Sequence, residues 1–423
     1  MLTSMGSLFA ELTRQVPASA RREVETYARE IPELGVLDAN PRARAETMEY
    51  SVWLRRRTIE LSPDNSELSE ADLGYIASIG ELRAGAGMSV DSRQRVLRLH
   101  TELMLREINE ATERQRGGGV DELMQVMTWF APQGERGIVA YRQGFVTVLR
   151  RRLPYVEQVA LLARSLLTGD PMAAELAPFL DIDVPERCAV TVIRVPDRPA
   201  GDRDLDSEIE ALVKTYRVPV TWCPEGGGRG GELIALTPLT SLTPDTAEPT
   251  RPPESPDLVS DLVSDLASEL LSDLVRDFAQ ALGRPCAAGT ATAPLPELAD
   301  ALDRARRISR SAPLRRASAR LRPHTMADVF VELAVDDVPF VDDWLHAVAR
   351  RLEPGPDLLR TLDAYYRHDM NRAATAAALN VHSRTLDYRL RRVRELTGID
   401  PVSTHGVRTL SAVVTRRLSG AWR

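Results

Sequence analysis

The sequence predicts a multidomain, mainly α-helical protein: an N-terminal helical bundle, a small central α+β domain and an all-α C-terminal domain. Three observations predict it. Residues 7 to about 170 read as one amphipathic stretch after another, separated by turn residues. Short β-branched runs appear only from about residue 184. Near residue 371 a short alanine-rich stretch, an asparagine and a longer arginine-leucine stretch follow each other. With 423 residues, two to four domains are expected. Boundaries are expected at 1–175, 184–315 with a flexible loop over 238–256, and 320–423.

In the first region, Asn40-Pro41 starts a helix over Arg42–Leu61, with proline in the first turn. Ser69–Arg83 and Val90–Arg116 repeat the pattern, and Gly117-Gly118-Gly119 ends the latter. Val120–Phe130 and Gly137–Thr168 follow as two further helices, and Gly169-Asp170-Pro171 closes the region. In the second, Cys188–Val195 is a strand bounded by Pro185 and Pro196, and Glu208–Lys214 a helix. Val218–Trp222 and Glu232–Thr237 are strands joined by GGGRGG. Pro238–Pro256 reads as a loop. Asp257–Phe278 repeats leucine every four residues beside acidic residues, an amphipathic helix packing on the sheet. Pro285–Thr292 reads as a strand and Leu298–Arg310 as a helix. The third region opens with helices over Asp337–Leu352 and Asp357–His368.

Charge is unevenly spread. The whole chain carries −7, yet Pro356–Arg423 holds twelve arginines against six acidic residues, net +6, leaving −13 upstream. Such asymmetry points to nucleic acid. Lys214 is the sole lysine, a compositional skew, so arginine abundance alone carries no weight.

The segment from Asn371 is NRAATAAALNVHSRTLDYRLRRVRELTG. Asn371 caps a short helix, Ala373–Leu379. Asn380 sits where the turn needs a left-handed residue, and a second helix runs from about Ser383 to Leu396. Together these form a helix-turn-helix. At 100° per residue, Leu386, Leu390 and Val393 face the core, while Arg384, Tyr388 and Arg391 fall opposite, flanked by Thr385 and Arg392. The expected DNA-contacting residues are Asn371, Arg372, His382, Ser383, Arg384, Thr385, Tyr388, Arg389, Arg391 and Arg392. The stretch His382–Arg389 is expected to meet base edges. Arg391, Arg392 and Arg394 are expected at phosphates. An arginine-rich surface helix without function is outweighed by the alanine helix, the Asn380 turn and the local charge.

LLRTLDAYYRHDMNRAATAAALNVHSRTLDYRLRRVRELTGIDP resembles the C-terminal domain of the PucR/CdaR family of bacterial transcription regulators. Thr361, Leu362, Tyr365, Asn371, Leu379, His382, Thr385, Leu386, Tyr388, Arg389, Leu390, Arg392, Leu396 and Gly398 stand where the family pattern wants them. Ser383-Arg384 replaces the family's frequent Arg-Asn. Asp387 stands where an arginine often precedes the tyrosine, so the operator sequence does not carry over. Upstream, the middle region is similar to the degenerate GGDEF-like domain of CdaR-type regulators. The stretch SVDSRQRVLRLHTELMLREI resembles the helical N-terminal domain shared with RsbR-type stress-signalling proteins. The resemblance implies a sequence-specific transcriptional regulator with double-stranded DNA as partner. One such domain makes few base contacts, so a homodimer or higher homo-oligomer is expected on affinity grounds, with upstream domains that sense a small-molecule effector of unknown identity.

Other chemistries find little support. GGGRGG satisfies G-x-G-x-x-G, but a strand follows it where a dinucleotide site needs a helix. Gly230-Gly231-Glu232-Leu233 offers one carboxylate where a cyclase needs neighbouring ones for magnesium. Cys188, Cys223 and Cys286 form no CxxC pair, and the six histidines lack metal-ligand spacing. No catalytic, cofactor-binding or metal site is expected. The N-terminus turns polar too early for a secretory signal, and no apolar run approaches membrane-spanning length, so a cytoplasmic protein is expected. The competing readings are a stress-signalling scaffold and a nucleotide-binding signalling module.

Overall fold

A computed structural model describes residues 8–114, 120–184, 186–196, 204–225, 230–239 and 265–422. Cα packing divides them into two compact units, one ending at Pro154 and the other starting at Tyr155. Among the described residues, no helix is long and apolar enough to cross a membrane.

The first unit is helical: α1 (Leu8–Glu30), a 3-10 turn (Pro32–Asp38), α2 (Pro41–Leu61), α3 (Glu70–Gly85), α4 (Val90–Arg114) and α5 (Val120–Arg152). Asn40 caps α2 by accepting from the amides of Arg42 and Ala43, and Ser69 with Asp72 forms a capping box on α3. Gly80 and Gly144 let α3 and α5 touch backbone to backbone. A Cβ on Gly144 would lie 2.0 Å from the Ala77 carbonyl oxygen, and one on Gly80 2.1 Å from that of Tyr141. The expected break between Phe130 and Gly137 is absent: α5 runs through Pro132 to Arg152. Packing overrides the local signal there. Trp129 and Gln133 are buried, and Gln133 accepts from the Leu68 amide. The chain breaks instead at Leu153-Pro154, where proline disfavours helix in the residue before it.

A polar cluster is buried in this unit. The Arg55 guanidinium donates to both Glu107 oxygens, at 2.9 and 2.7 Å, and to Glu23 at 2.6 Å. Glu23 also accepts from Ser51 and from the Tyr27 hydroxyl at 2.7 Å, and faces His100 Nδ1 at 2.6 Å. Burial opposes its charge, but His100 and Arg55 prevail and hold its pKa well below the ordinary carboxylate value.

The second unit opens with α6 (Tyr155–Thr168) and α7 (Met172–Leu180), so the boundary expected at 175 falls inside it. α6 packs against the sheet through its strand β2. The remaining elements are β1 (Arg187–Val195), α8 (Leu205–Tyr216), β2 (Val220–Pro224), β3 (Gly231–Pro238), α9 (Asp265–Leu282), β4 (Ala287–Pro294) and α10 (Leu298–Ser311). The sheet is antiparallel, ordered β2-β3-β1-β4, with β1 registered from Cys188↔Pro238 on one side and Arg187↔Pro294 on the other. This is a pair of interleaved split βαβ units. Cys188 through Ile193 are all buried, so both faces of β1 are covered. α9 turns Leu271, Leu274, Val275, Phe278 and Leu282 inward while Leu270 is exposed; the leucines before Asp265, Gly226–Arg229 and the loop over 240–256 lie outside the described residues.

The C-terminal helices are α11 (Met326–Asp336), α12 (Pro339–Leu352), α13 (Leu358–Arg367), α14 (Arg372–Leu379), α15 (Ser383–Thr397) and α16 (Thr404–Ser419). Val348, Leu352, Leu362, Tyr365, Leu386, Val393, Leu410 and Val413 are among the side chains of their common core. Several ties bind this bundle to the sheet. Arg194 of β1 donates to the Ser419 carbonyl at 2.9 Å, and the Leu314 amide donates to the Leu418 carbonyl. Arg315 exchanges two backbone hydrogen bonds with Cys286, and its guanidinium grips Asp363 of α13 at 2.7 and 2.5 Å.

Candidate nucleic-acid interface

The interface is built around α14 and α15. Asn371 Oδ1 accepts from the Ala374 amide at 3.0 Å and so starts α14. Asn380 takes the left-handed conformation, φ 53° and ψ 46°, that ends α14 and turns the chain. His382 then caps α15: its Nδ1 accepts from the Arg384 amide at 3.2 Å, a role that requires an unprotonated Nδ1. Gly398, φ 74°, terminates the helix. The capping role of His382 was not read from the sequence, because serine, threonine, asparagine and aspartate are the usual cap signals.

Leu386, Leu390 and Val393 are buried, as their spacing predicts. On the opposite face Ser383, Arg384, Thr385, Tyr388 and Arg391 are exposed; Tyr388 is 52% exposed. Arg384 and Arg391 are two turns apart, roughly 10 Å along the axis. That span covers about three base steps. Arg394, exposed on the next turn, extends the cationic side and approaches Asp400 at 3.5 Å.

Two expected contacts look different in place. Arg389 is only 14% exposed: its guanidinium donates to Thr361 Oγ1 at 3.2 Å and to the Asp357 carboxylate at 3.4 Å, against α13. Thr361 Oγ1 in turn donates to the Asp357 carbonyl, so Arg389 fastens α15 to the start of α13. Arg392 is half-buried and pairs with Glu395 at 2.9 Å. Asp387 is not a bare anion, because Arg372 of α14 lies 3.5 Å from it. A groove beside α15, lined by Arg372, Arg384, Asp387, Arg391, Arg394 and Val402, brings the two helices' cations together.

Elsewhere, Glu232 is paired with Arg306 at 2.9 Å. Burial pushes the Cys188 thiol up to about 11 and that of Cys286 up to about 12, away from nucleophilic reactivity at neutral pH.

Residues 358–414 match the family described as the PucR C-terminal helix-turn-helix domain. A stretch of 43 residues is 54% identical to the carbohydrate diacid regulator of Escherichia coli strain K12. It covers 10% of this chain and 11% of that protein, so the chain spans about a tenth of the length of this curated relative. The solved structure of a regulator of polyketide synthase expression from Bifidobacterium adolescentis aligns with 64% of this chain and 96% of that one, at 17% identity and a TM-score of 0.24. Over residues 358–414, then, the chain carries a C-terminal helix-turn-helix domain of the PucR type.

Proposed function

We propose that the protein is a sequence-specific, DNA-binding transcriptional regulator acting in the cytoplasm, without catalysis of its own. The observation that carries this reading is the outer face of α15, where Arg384, Tyr388 and Arg391 stand free of the core behind a left-handed Asn380 turn. In a helix-turn-helix the second helix enters the major groove. Arg384, in its first turn, is the base reader, since a guanidinium meets guanine edges bidentately. Arg391 and Arg394 hold phosphates, and Arg372 adds a further cation from α14. Ser383, Thr385 and Tyr388 bond bases or backbone, with His382 and Asn371 fixing the two helix starts. Arg389 supports α15 from behind.

One such domain makes few base contacts, so two copies reading half-sites together are part of the proposal. The exposed aromatics Phe330, Phe340 and Trp344 on α11 and α12 favour pairing between copies. The RsbR-like N-terminal region and the GGDEF-like middle region serve as sensing and assembly parts. The test is fluorescence anisotropy of the full chain on DNA from upstream of its own gene, with unrelated DNA as competitor. Specific binding, weakened by Tyr388→Ala, is expected; equal affinity for both DNAs would refute sequence-specific regulation at that site.

A further inference from the structure

The first unit contains a second arginine whose situation is unlike that of Arg55. Arg83 is 8% exposed, yet among the described residues no carboxylate lies within ion-pair distance of it. Its contacts are the Tyr141 hydroxyl at 3.4 Å and three tyrosine rings, those of Tyr27, Tyr50 and Tyr141, at 5.4, 6.0 and 5.5 Å from its guanidinium carbon. Burial opposes its charge, but the tyrosines prevail and hold its pKa above the ordinary arginine value. Ring faces offset only part of the cost of burying a cation. The same side chain lines a cavity of about 160 Å³ between the 3-10 turn, α2 and α3. Its walls are mostly apolar, from Leu34, Leu37, Ile79, Leu82 and Met88, and Val36 and Leu82 are exposed. About 150 Å³ holds a benzene ring.

We propose that this cavity binds a small monocarboxylic acid with an apolar body, its carboxylate on Arg83 and its body against the leucines. Two acids also line the cavity and sharpen the choice. Glu33 accepts from the Ser89 amide at 2.9 Å and the Ser92 hydroxyl at 2.6 Å, and Glu46 pairs with Arg42 at 3.0 Å. Each charge is tied down, yet both residues line the cavity, so a second anionic group on the ligand meets like charge there. A cationic ligand is disfavoured because Arg83 itself fills the space among the tyrosines. This site goes beyond the DNA-binding reading and does not depend on it.

The test is calorimetric titration and thermal melting of the full chain with benzoate and phenylacetate, against benzamide, benzylamine and phthalate. The acids are expected to bind and raise the melting temperature, with benzamide at least about tenfold weaker and phthalate weaker still. Arg83→Gln is expected to abolish binding. Because removing Arg83 can also loosen the fold, Ala43→Phe provides a second variant, filling the cavity from α2 while leaving Arg83 in place; it too is expected to abolish binding. Equal binding of benzoate and benzamide, undiminished binding in Ala43→Phe, or no response to either acid at about 10 mM overturns the proposal.

Discussion

Replacing Arg384 or Arg389 by alanine separates reading DNA from holding the reading helix. Arg384 is exposed in the first turn of α15, and among the described residues its side chain has no ion-pair partner. A bidentate base contact is worth about 1–3 kcal/mol of discrimination, so Arg384→Ala should weaken specific binding roughly 5- to 150-fold. Its stability should change by less than about 0.5 kcal/mol, as for other surface substitutions. Arg389 presents the opposite case. Its bonds to Thr361 and Asp357 are 3.2 and 3.4 Å long, and Asp357 is itself well exposed. Losing them should cost about 1 kcal/mol. In a unit of this size that lowers the melting temperature by about 2–4 °C. Anisotropy titrations across a salt series, beside melting curves, measure both effects. Arg391→Ala belongs in the same series: losing one phosphate contact should lower the log–log salt slope by about 0.9. The reasoning fails if Arg384→Ala binds the specific site within twofold of the parent. It also fails if Arg389→Ala loses affinity as steeply as Arg384→Ala with an unchanged melting temperature.

Acid should unfold the first unit through its buried carboxylates. Glu23 has a depressed pKa, so the stability it contributes is full above the ordinary carboxylate value and is lost as pH falls through its native one; Glu33, drawn down to about 2 chiefly by the Ser92 hydroxyl against burial, acts in the same direction. Circular dichroism should show little change in stability above about pH 5 and a progressive fall below it; a flat profile to pH 2 would contradict this. Arg55→Met should destabilise the unit by about 3–5 kcal/mol in chemical denaturation, because it strands two buried glutamates. Gly144→Ala should prevent the close crossing of α3 and α5, because the added Cβ meets the Ala77 carbonyl at 2.0 Å; a loss of at least about 1–3 kcal/mol is expected, and a neutral effect would refute the crossing.

Much of the reading unit was legible because its signals are local. Leucine spacing set the inner face of α15, and Asn380 marked a turn that few residues other than glycine tolerate. The strands at Cys188–Val195 and Glu232–Thr237 were similarly marked by β-branched runs and bounding turns. What escaped depends on partners far along the chain. Nothing near Arg389 reveals that Asp357 and Thr361 stand within its reach, and Asp387 looks like a repulsive charge until Arg372 is seen beside it. The course of α5 through Pro132 depends on Trp129 and Gln133 being wanted in the interior. In the repeat, leucines spaced by four drift around a helix, so Leu270 faces outward while Leu274 is buried.

Under the proposed function, Arg315 constrains how any message would reach DNA. Its main chain is fixed to Cys286 beside β4 and its side chain to the helix under α15, while Arg194 and Leu314 fasten the far end of α16. A reading head on a slack tether would let the sheet turn while the head stayed behind. Here a rotation of the sheet must carry α13 with it or tear Asp363 from its clamp. A head made alone from about residue 320 would therefore keep its arginines but lack Arg194, Leu314 and Arg315, the handle that the proposed steering needs.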